Sequence, residues 1–122
     1  MTLTELIQKA SDGPLTRAEV GDFCSHAGIT FPAFCDEFSR VVATGYFGST
    51  LSYTFCDGAM NNLFAFMTLQ MTEDPLPDYS YSVFLAFDAG EYYHREDSRN
   101  SSPEELYTKP MIADILSNAT NA

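Results

Sequence analysis

The strongest constraint on the fold of this chain is a series of helix-start signals that divides its first half into short helices. Capping boxes begin at Thr2 and Thr16, each followed three residues later by a glutamate whose side chain can bond back to the cap. Thr30 followed by Pro32 marks a third start, because proline is favoured in a first helical turn. Gly28 fits a helix stop before it. The first 50 residues are therefore predicted to form three helices.

Apolar residues recur at helical spacing between these signals. From Val20 to Ala27 they occur at i, i+3, i+4 and i+7, which is typical of an amphipathic helix. Residues 52–70 are apolar around most of the helical circumference, with only a narrow polar strip that includes Asp57 and Asn61. A helix of this kind is normally enclosed by others. We therefore predict that residues 52–70 form the central helix.

The second half of the chain contains one ambiguous segment. Residues 73–77 hold two prolines and two acids and are predicted to be a loop. Residues 79–87 alternate as a strand would, but they also fit a helical face with Asp78 as N-cap. Because a lone strand would lack a partner, we favour the helix. Ser102 followed by Pro103 predicts a last helix, which meets Pro110 and continues beyond it.

Together these segments predict an all-α fold, a compact bundle of about five or six short helices. The length of 122 residues fits one domain, here residues 1–122, with residues 118–122 expected to be a frayed tail. Apolar residues make up 45% of the chain, which is enough to form a buried core.

The charge of the chain excludes several classes of function. Seventeen acids against six bases give a net charge of -11, which opposes binding to nucleic acid or to anionic lipid. No apolar run approaches the length of a membrane helix, and the start of the chain lacks signal-peptide features. Three cysteines without CxxC spacing do not form a disulfide framework. We expect a cytoplasmic protein that binds neither membranes nor nucleic acid directly.

No motif for catalysis, metal binding or cofactor binding is present. His26 lies near a helix end and His94 in a polar loop, and neither accompanies a nucleophile or a second ligand. Asp57 and Asn61 could form a polar pair in a cleft, although an exposed strip of a core helix explains them more simply. The expectation is a protein that is not an enzyme and uses no metal or cofactor.

Acidic and tyrosine side chains concentrate in one third of the chain. Residues 71–105 hold nine of the 17 acids and four of the seven tyrosines, opposed by only two arginines. Carboxylates speed encounter with a basic protein, and tyrosines provide rigid contact area. A solvated acidic face kept for solubility would explain the same pattern. The residues predicted to bind a basic partner are Asp74, Asp78, Asp88, Glu91, Tyr92, Tyr93 and Asp97.

Two segments resemble a known class of proteins. GSTLSYTFCDGAMNNLF (residues 48–64) and FDAGEYYH (residues 87–94) are similar to the core helix and the acidic, aromatic segment of small bacterial immunity proteins. These belong to contact-dependent growth inhibition and related polymorphic toxin systems. The resemblance implies that the chain neutralises a cognate basic toxin, a nuclease being the expected type, by occluding its active-site cleft.

Two other functions fit the same composition. A helical scaffold or regulatory domain would bind its partner through an apolar patch, with little dependence on salt. A DNA-mimic inhibitor of a host enzyme would space its carboxylates like phosphates along an elongated surface, whereas here they are clustered. Neither the identity of a partner nor the oligomeric state follows from the sequence.

Overall fold

The computed structural model describes residues 1–70, 76–94 and 96–120. This part of the chain contains six α-helices and no strand, so the predicted all-α bundle is confirmed. The helices are α1 (Leu3–Asp12), α2 (Arg17–Ala27), α3 (Phe31–Phe47), α4 (Tyr53–Gln70), α5 (Asp78–Ala89) and α6 (Lys109–Thr120), and a π-helical turn (Glu104–Thr108) leads directly into α6.

The predicted helix starts are found where the sequence signals place them. Both capping boxes form, with the Thr2 and Thr16 side chains accepting hydrogen bonds from backbone N–H groups three residues on. Thr30 caps α3 by accepting from the backbone of Ala33. Gly28 closes α2 in the left-handed conformation (φ 68°), which glycine adopts without a steric penalty. Local chemistry therefore sets the boundaries of these helices.

The segment that could have been a strand is helical. α5 begins at Asp78, and Pro77 occupies the N-cap position without a side-chain hydrogen bond. The N-cap is thus one residue earlier than the predicted Asp78. The Asp78 carboxylate lies in the first turn, where it interacts favourably with the positive end of the helix dipole. Val83, Ala86 and Phe87 are buried, whereas Tyr81 and Leu85 are more than a third exposed. This burial follows the helical pattern and not the alternating one.

The last helix passes through Pro110 by means of the π-helical turn. The backbone N–H of Lys109 bonds to the carbonyl of Glu104, five residues earlier. Pro110 has no N–H to donate to the carbonyl of Leu106, and its ring would clash with that carbonyl in a regular α-helix. The wider turn relieves both problems, so the helix continues. It extends to Thr120, so residues 118–120 of the predicted tail are assigned to α6, and residues 121–122 lie outside the described residues.

The core lies between α3, α4 and α5, with α1 packed across α4. The largest fully buried side chains include Phe34, Phe38, Met60, Leu63 and Phe87. The prediction of α4 as the central helix is supported by its contacts with α1, α3 and α5.

Two hydrogen bonds and one close approach at a glycine connect neighbouring helices. The buried hydroxyls of Ser39 and Ser80 join α3 to α5 at 2.7 Å. Asn62 donates to the carbonyl of Ala10 at 2.6 Å, tying α4 to α1. A Cβ atom on Gly58 would lie 2.5 Å from the carbonyl oxygen of Ser11, so glycine is required where α1 crosses α4.

Candidate partner-binding site

The candidate site lies where α4 and α5 run side by side in opposite directions. Asp57, Asn61 and Phe64 occur at i, i+4 and i+7 on α4, so they share one side of that helix. The corresponding residues of the second helix and its end are Tyr81, Phe84, Asp88 and Glu91. We call these seven residues the α4–α5 face.

One end of the α4–α5 face is a cluster of carboxyl groups. Asn61 Nδ2 donates to Glu91 Oε2 at 3.0 Å. The carboxyl group of Glu91 is also close enough to that of Asp57 for the two to interact, and Asp88 adds its negative charge. Asp57 Oδ1 is buried and receives no hydrogen bond from the described part of the chain. Two ionised carboxylates cannot satisfy each other, because neither has a proton to donate.

The cluster strongly disfavours ionisation of Asp57. Burial is the main cause that raises the pKa of the Asp57 carboxyl, followed by its hydrogen bond with Glu91 and the negative charges of Glu91 and Asp88. No Lys or Arg forms an ion pair with this cluster among the described residues. The neutral form of Asp57 is therefore favoured, and a neighbouring cation would favour the ionised form instead.

The other end of the face is a stack of three aromatic rings. The rings of Phe64 and Phe84 lie with centroids 4.0 Å apart and an interplanar angle of 9°. Tyr81 is nearly parallel to both, at 5.9 Å from Phe64 and 6.3 Å from Phe84. Tyr81 and Leu85, one turn apart on α5, remain 38% and 39% exposed. The stack thus presents rigid apolar area to solvent beside the carboxyl cluster.

Gly90 allows the end of α5 to approach its neighbours closely. A Cβ atom at this position would lie 2.2 Å from Thr108 Oγ1 and 3.0 Å from the Tyr53 hydroxyl. Both groups are already engaged, Thr108 Oγ1 donating to the carbonyl of Ala86 and Tyr53 to that of Phe87. Because this junction is tightly packed, it fixes where Glu91 leaves the helix.

The loop after α5 uses its acidic and aromatic residues internally. Asp97 accepts from the backbone N–H of His94 at 2.8 Å and from the Tyr107 hydroxyl at 2.6 Å. The bond from Tyr107 is the main cause that lowers the pKa of Asp97. His94 stacks between Tyr92 and Tyr107, at centroid distances of 4.7 and 3.9 Å. These contacts tie the loop to the π-helical turn.

Tyr93 also has a partner within this loop. Its hydroxyl donates to the carbonyl of Arg99 at 3.1 Å, and the Arg99 guanidinium lies 4.7 Å from the centre of its ring. Tyr92 and Tyr93 are nevertheless 52% and 37% exposed. Both could contribute area at the edge of an interface without leaving their present positions.

The structure separates the residues predicted from the sequence into distinct places. Asp88 and Glu91 belong to the carboxyl cluster, whereas Tyr92, Tyr93 and Asp97 belong to the loop. Asp78 starts α5, ten residues before Asp88, which corresponds to about 15 Å along the helix. Asp74 lies outside the described residues.

Several residues of the face were not predicted as binding residues. Asn61 is exposed, as the polar strip of α4 implied, but Asp57 is half-buried against the end of α5. Their i, i+4 spacing was visible in the sequence, whereas the approach of Glu91 was not. Phe64 and Phe84 were assigned to apolar stripes, and no sequence signal distinguishes a stacked surface ring from a core ring.

The thiols and carboxyl groups of this protein have the chemistry to ligate a metal ion. The three cysteines are free, with Cys35 and Cys56 buried and Cys24 half-buried. Within residues 1–70, 76–94 and 96–120, no group of three or more His, Cys, Asp or Glu side chains has the arrangement of a metal site.

Over the same three ranges, none of the helices combines the length and the hydropathy needed to cross a bilayer. Comparison of the chain with protein-family models, curated proteins and solved structures finds no match. The chemistry of the α4–α5 face is therefore the basis on which a function is assigned.

Proposed function

We propose that this protein is a stoichiometric inhibitor of the immunity-protein type, which binds a basic protein partner through the α4–α5 face. The partner is a toxin with a cationic active-site cleft. Because such a cleft suits a polyanionic substrate, we propose that the toxin is a nuclease. The inhibitor occupies that cleft and keeps nucleic acid out. Its own net charge of -11 repels nucleic acid, so it competes with the substrate without binding it.

The observation that carries this proposal is a carboxyl cluster without a cation. Asp88 and Glu91 place negative charge beside the Asp57 carboxyl, and the burial of Asp57 reduces the screening by water. A Lys or Arg side chain from a partner would supply the missing positive charge by pairing with the exposed carboxylate of Glu91. Its charge would also favour the ionised form of the buried Asp57 carboxyl behind Glu91.

The aromatic stack supplies the apolar part of the interface. Tyr81, Phe84 and Phe64 hold one another in parallel planes, so little side-chain freedom is lost on binding. Aromatic side chains of this kind are the usual anchors of protein interfaces. An anchor next to a charged cluster favours a protein partner over a small cation, because both elements are contacted together only by an extended surface.

The proposal is tested by charge reversal within and outside the face. The cationic protein retained from a native lysate at low salt is purified, and its affinity for the chain is measured at two salt concentrations. The double variant Asp88→Lys with Glu91→Lys is expected to weaken binding by at least about 30-fold, which corresponds to about 2 kcal/mol. It should also reduce the salt dependence, because fewer charges attract the partner.

A matched control distinguishes the effect of changing the α4–α5 face from the effect of changing the net charge of the protein. Asp22→Lys with Asp114→Lys makes the same change in charge at exposed positions on α2 and α6, two helices that contribute no residue to the face. This control should lower the association rate slightly and leave the complex intact. Equal losses in the two double variants would contradict the assignment of the face, since only the overall charge would matter.

The inhibitor role has its own measurement. Nuclease activity of the purified partner should fall linearly to zero at one equivalent of the wild-type chain. A partner that binds with no dependence on salt, through an apolar patch, would support the scaffold function instead. A partner whose activity is unaffected at saturation would overturn the inhibitor proposal while leaving the binding face in place.

A further inference from the structure

A second feature of the molecule lies at the far end of α4 from Asp57. There a cavity of about 270 Å³ opens between α2, the start of α3 and the end of α4. Val20, Gly21 and Cys24 line it from one side of α2, and Phe31 and Phe66 line it from the other helices. The size is just below the range of typical ligand pockets, about 300–1,000 Å³, so a small occupant is required.

Few polar side chains line this cavity, and two of them are hydrogen-bond donors. Arg17 and Gln70 lie at its border and can both donate hydrogen bonds. Burial raises the pKa of the Cys24 thiol, as expected for an apolar wall. No carboxylate is among the lining residues. The cavity therefore combines an apolar interior with a cationic edge.

Arg17 is distinctive among the basic residues of this acidic chain. Lys9, Arg40 and Lys109 each form an ion pair with a glutamate, and Arg99 lies over the ring of Tyr93. In the described part of the chain, Arg17 has neither a carboxylate nor a ring as partner. With 17 acids present, an arginine left unpaired beside an apolar cavity is available to an external anion.

We propose that this cavity binds a small monocarboxylate with an apolar body, such as a medium-chain fatty acid. The carboxylate pairs with the guanidinium of Arg17 and accepts from the Gln70 amide, and the chain lies against Phe31, Phe66 and the open side of Gly21. The site is separate from the α4–α5 face, so it does not depend on the inhibitor function proposed above.

The test is a titration of the full chain with sodium octanoate, followed through the backbone amide signals of α2. A saturable 1:1 shift is expected, and Arg17→Gln should weaken binding about tenfold by removing the charge-assisted hydrogen bond. Arg40→Gln is the matched control, since Arg40 pairs with Glu37 on α3, and it should leave octanoate affinity unchanged.

Two further measurements test the proposal independently of the Arg17→Gln variant, in case that substitution alters the fold. Gly21→Leu should abolish binding, because a side chain at this position enters open space beside the cavity. Octanoate should also slow the alkylation of Cys24 by iodoacetamide, while Cys35 and Cys56 are fully buried and give the background. Absence of a saturable shift, equal binding of octylamine, or an unchanged affinity in Arg17→Gln would each overturn the assignment.

Discussion

Asp57 and Asp97 are two carboxyl groups in neighbouring parts of the molecule with opposite environments. Asp97, in the loop after α5, accepts one hydrogen bond on each oxygen, from His94 and Tyr107. Asp57, on the α4–α5 face, has a buried oxygen without a donor and faces a second carboxyl group from Glu91. The pKa of Asp97 is lowered by its donors, whereas burial and the neighbouring carboxyl groups raise that of Asp57.

This difference separates a carboxylate that stabilises the fold from a carboxyl cluster whose exposed member, Glu91, is available to a partner. The hydrogen bonding of Asp97 is complete within the chain, because each of its carboxylate oxygens accepts a hydrogen bond. The cluster around Asp57 is complete only when a proton or an external cation is added. Acidic residues that look alike in the sequence thus have different roles, and the hydrogen-bond donors around each of them decide which role it has.

The largest expected effect comes from Gly90, which joins the two regions. Gly90→Ala would force a methyl group against Thr108 Oγ1 and the Tyr53 hydroxyl, both of which are already hydrogen-bonded. We expect the free energy of unfolding to fall by about 2 kcal/mol, measured by urea denaturation. Gly21→Ala, at an open helical position, should instead raise it by about 0.5–1 kcal/mol. Equal effects of the two substitutions would show that the junction is loosely packed.

Replacing aspartate by asparagine should change the stability of the protein in opposite directions at the two positions. Asp97→Asn removes the negative charge that the Tyr107 hydroxyl and the His94 N–H stabilise, so the melting temperature should fall. Hydrogen exchange of the His94 amide should become faster, because its acceptor is weakened. An unchanged melting temperature would mean that the loop is held by the stacking of His94 alone.

Asp57→Asn should stabilise the protein at pH 7. The amide is neutral without taking up a proton on folding, and it can donate a hydrogen bond to Glu91. The gain is expected to be at most about 1 kcal/mol, since the side chain is half-buried and water screens part of its interaction with the neighbouring charges. The same variant should bind the basic partner more weakly, so stability and affinity change in opposite directions. A loss of stability would contradict the unsatisfied state of this carboxyl group.

The pH dependence of these two variants gives the finest comparison. In unfolded chains both aspartates titrate near pH 4. Because the pKa of Asp97 is lowered by folding, its stabilisation is complete above pH 4 and is lost as the pH falls below it. Because the pKa of Asp57 is raised, its cost is absent below pH 4 and grows as the pH rises toward the folded value.

The measurement is the free energy of unfolding of each variant relative to wild type between pH 2.5 and pH 8. The difference for Asp97→Asn should change only below about pH 4, and the difference for Asp57→Asn only above it. Curves that change in the same pH range would show that the two groups are in similar environments.

Most of the helices could be predicted from the sequence because their signals are local. The caps at Thr2, Thr16 and Thr30 and the stop at Gly28 act within four residues of themselves. The segment starting at Asp78 required an argument about partners, since its periodicity fitted two structures. The π-helical turn before Pro110 was not predicted, because it depends on continuing a helix whose far half is held by packing.

The candidate site could be predicted only in part. Asp88 and Glu91 were expected from the density of acids and do belong to the carboxyl cluster. The same density points to Asp97, yet the hydrogen bonds of Asp97 are internal. The pattern of α4 predicts Asp57 to be exposed, yet it is half-buried. Density of charge along the chain does not reveal which donors will face each carboxylate after folding.

The sequence by itself determined the all-α class, the start of nearly every helix and the strong negative charge of this protein. These properties depend on residues within one or two turns of one another, or on composition alone. Only the tertiary structure decided that Asp57 meets Glu91, that three rings stack across α4 and α5, and that Arg17 borders an apolar cavity. Each of these depends on the distance and angle between helices, which are fixed by the packing of the core and not by any local signal.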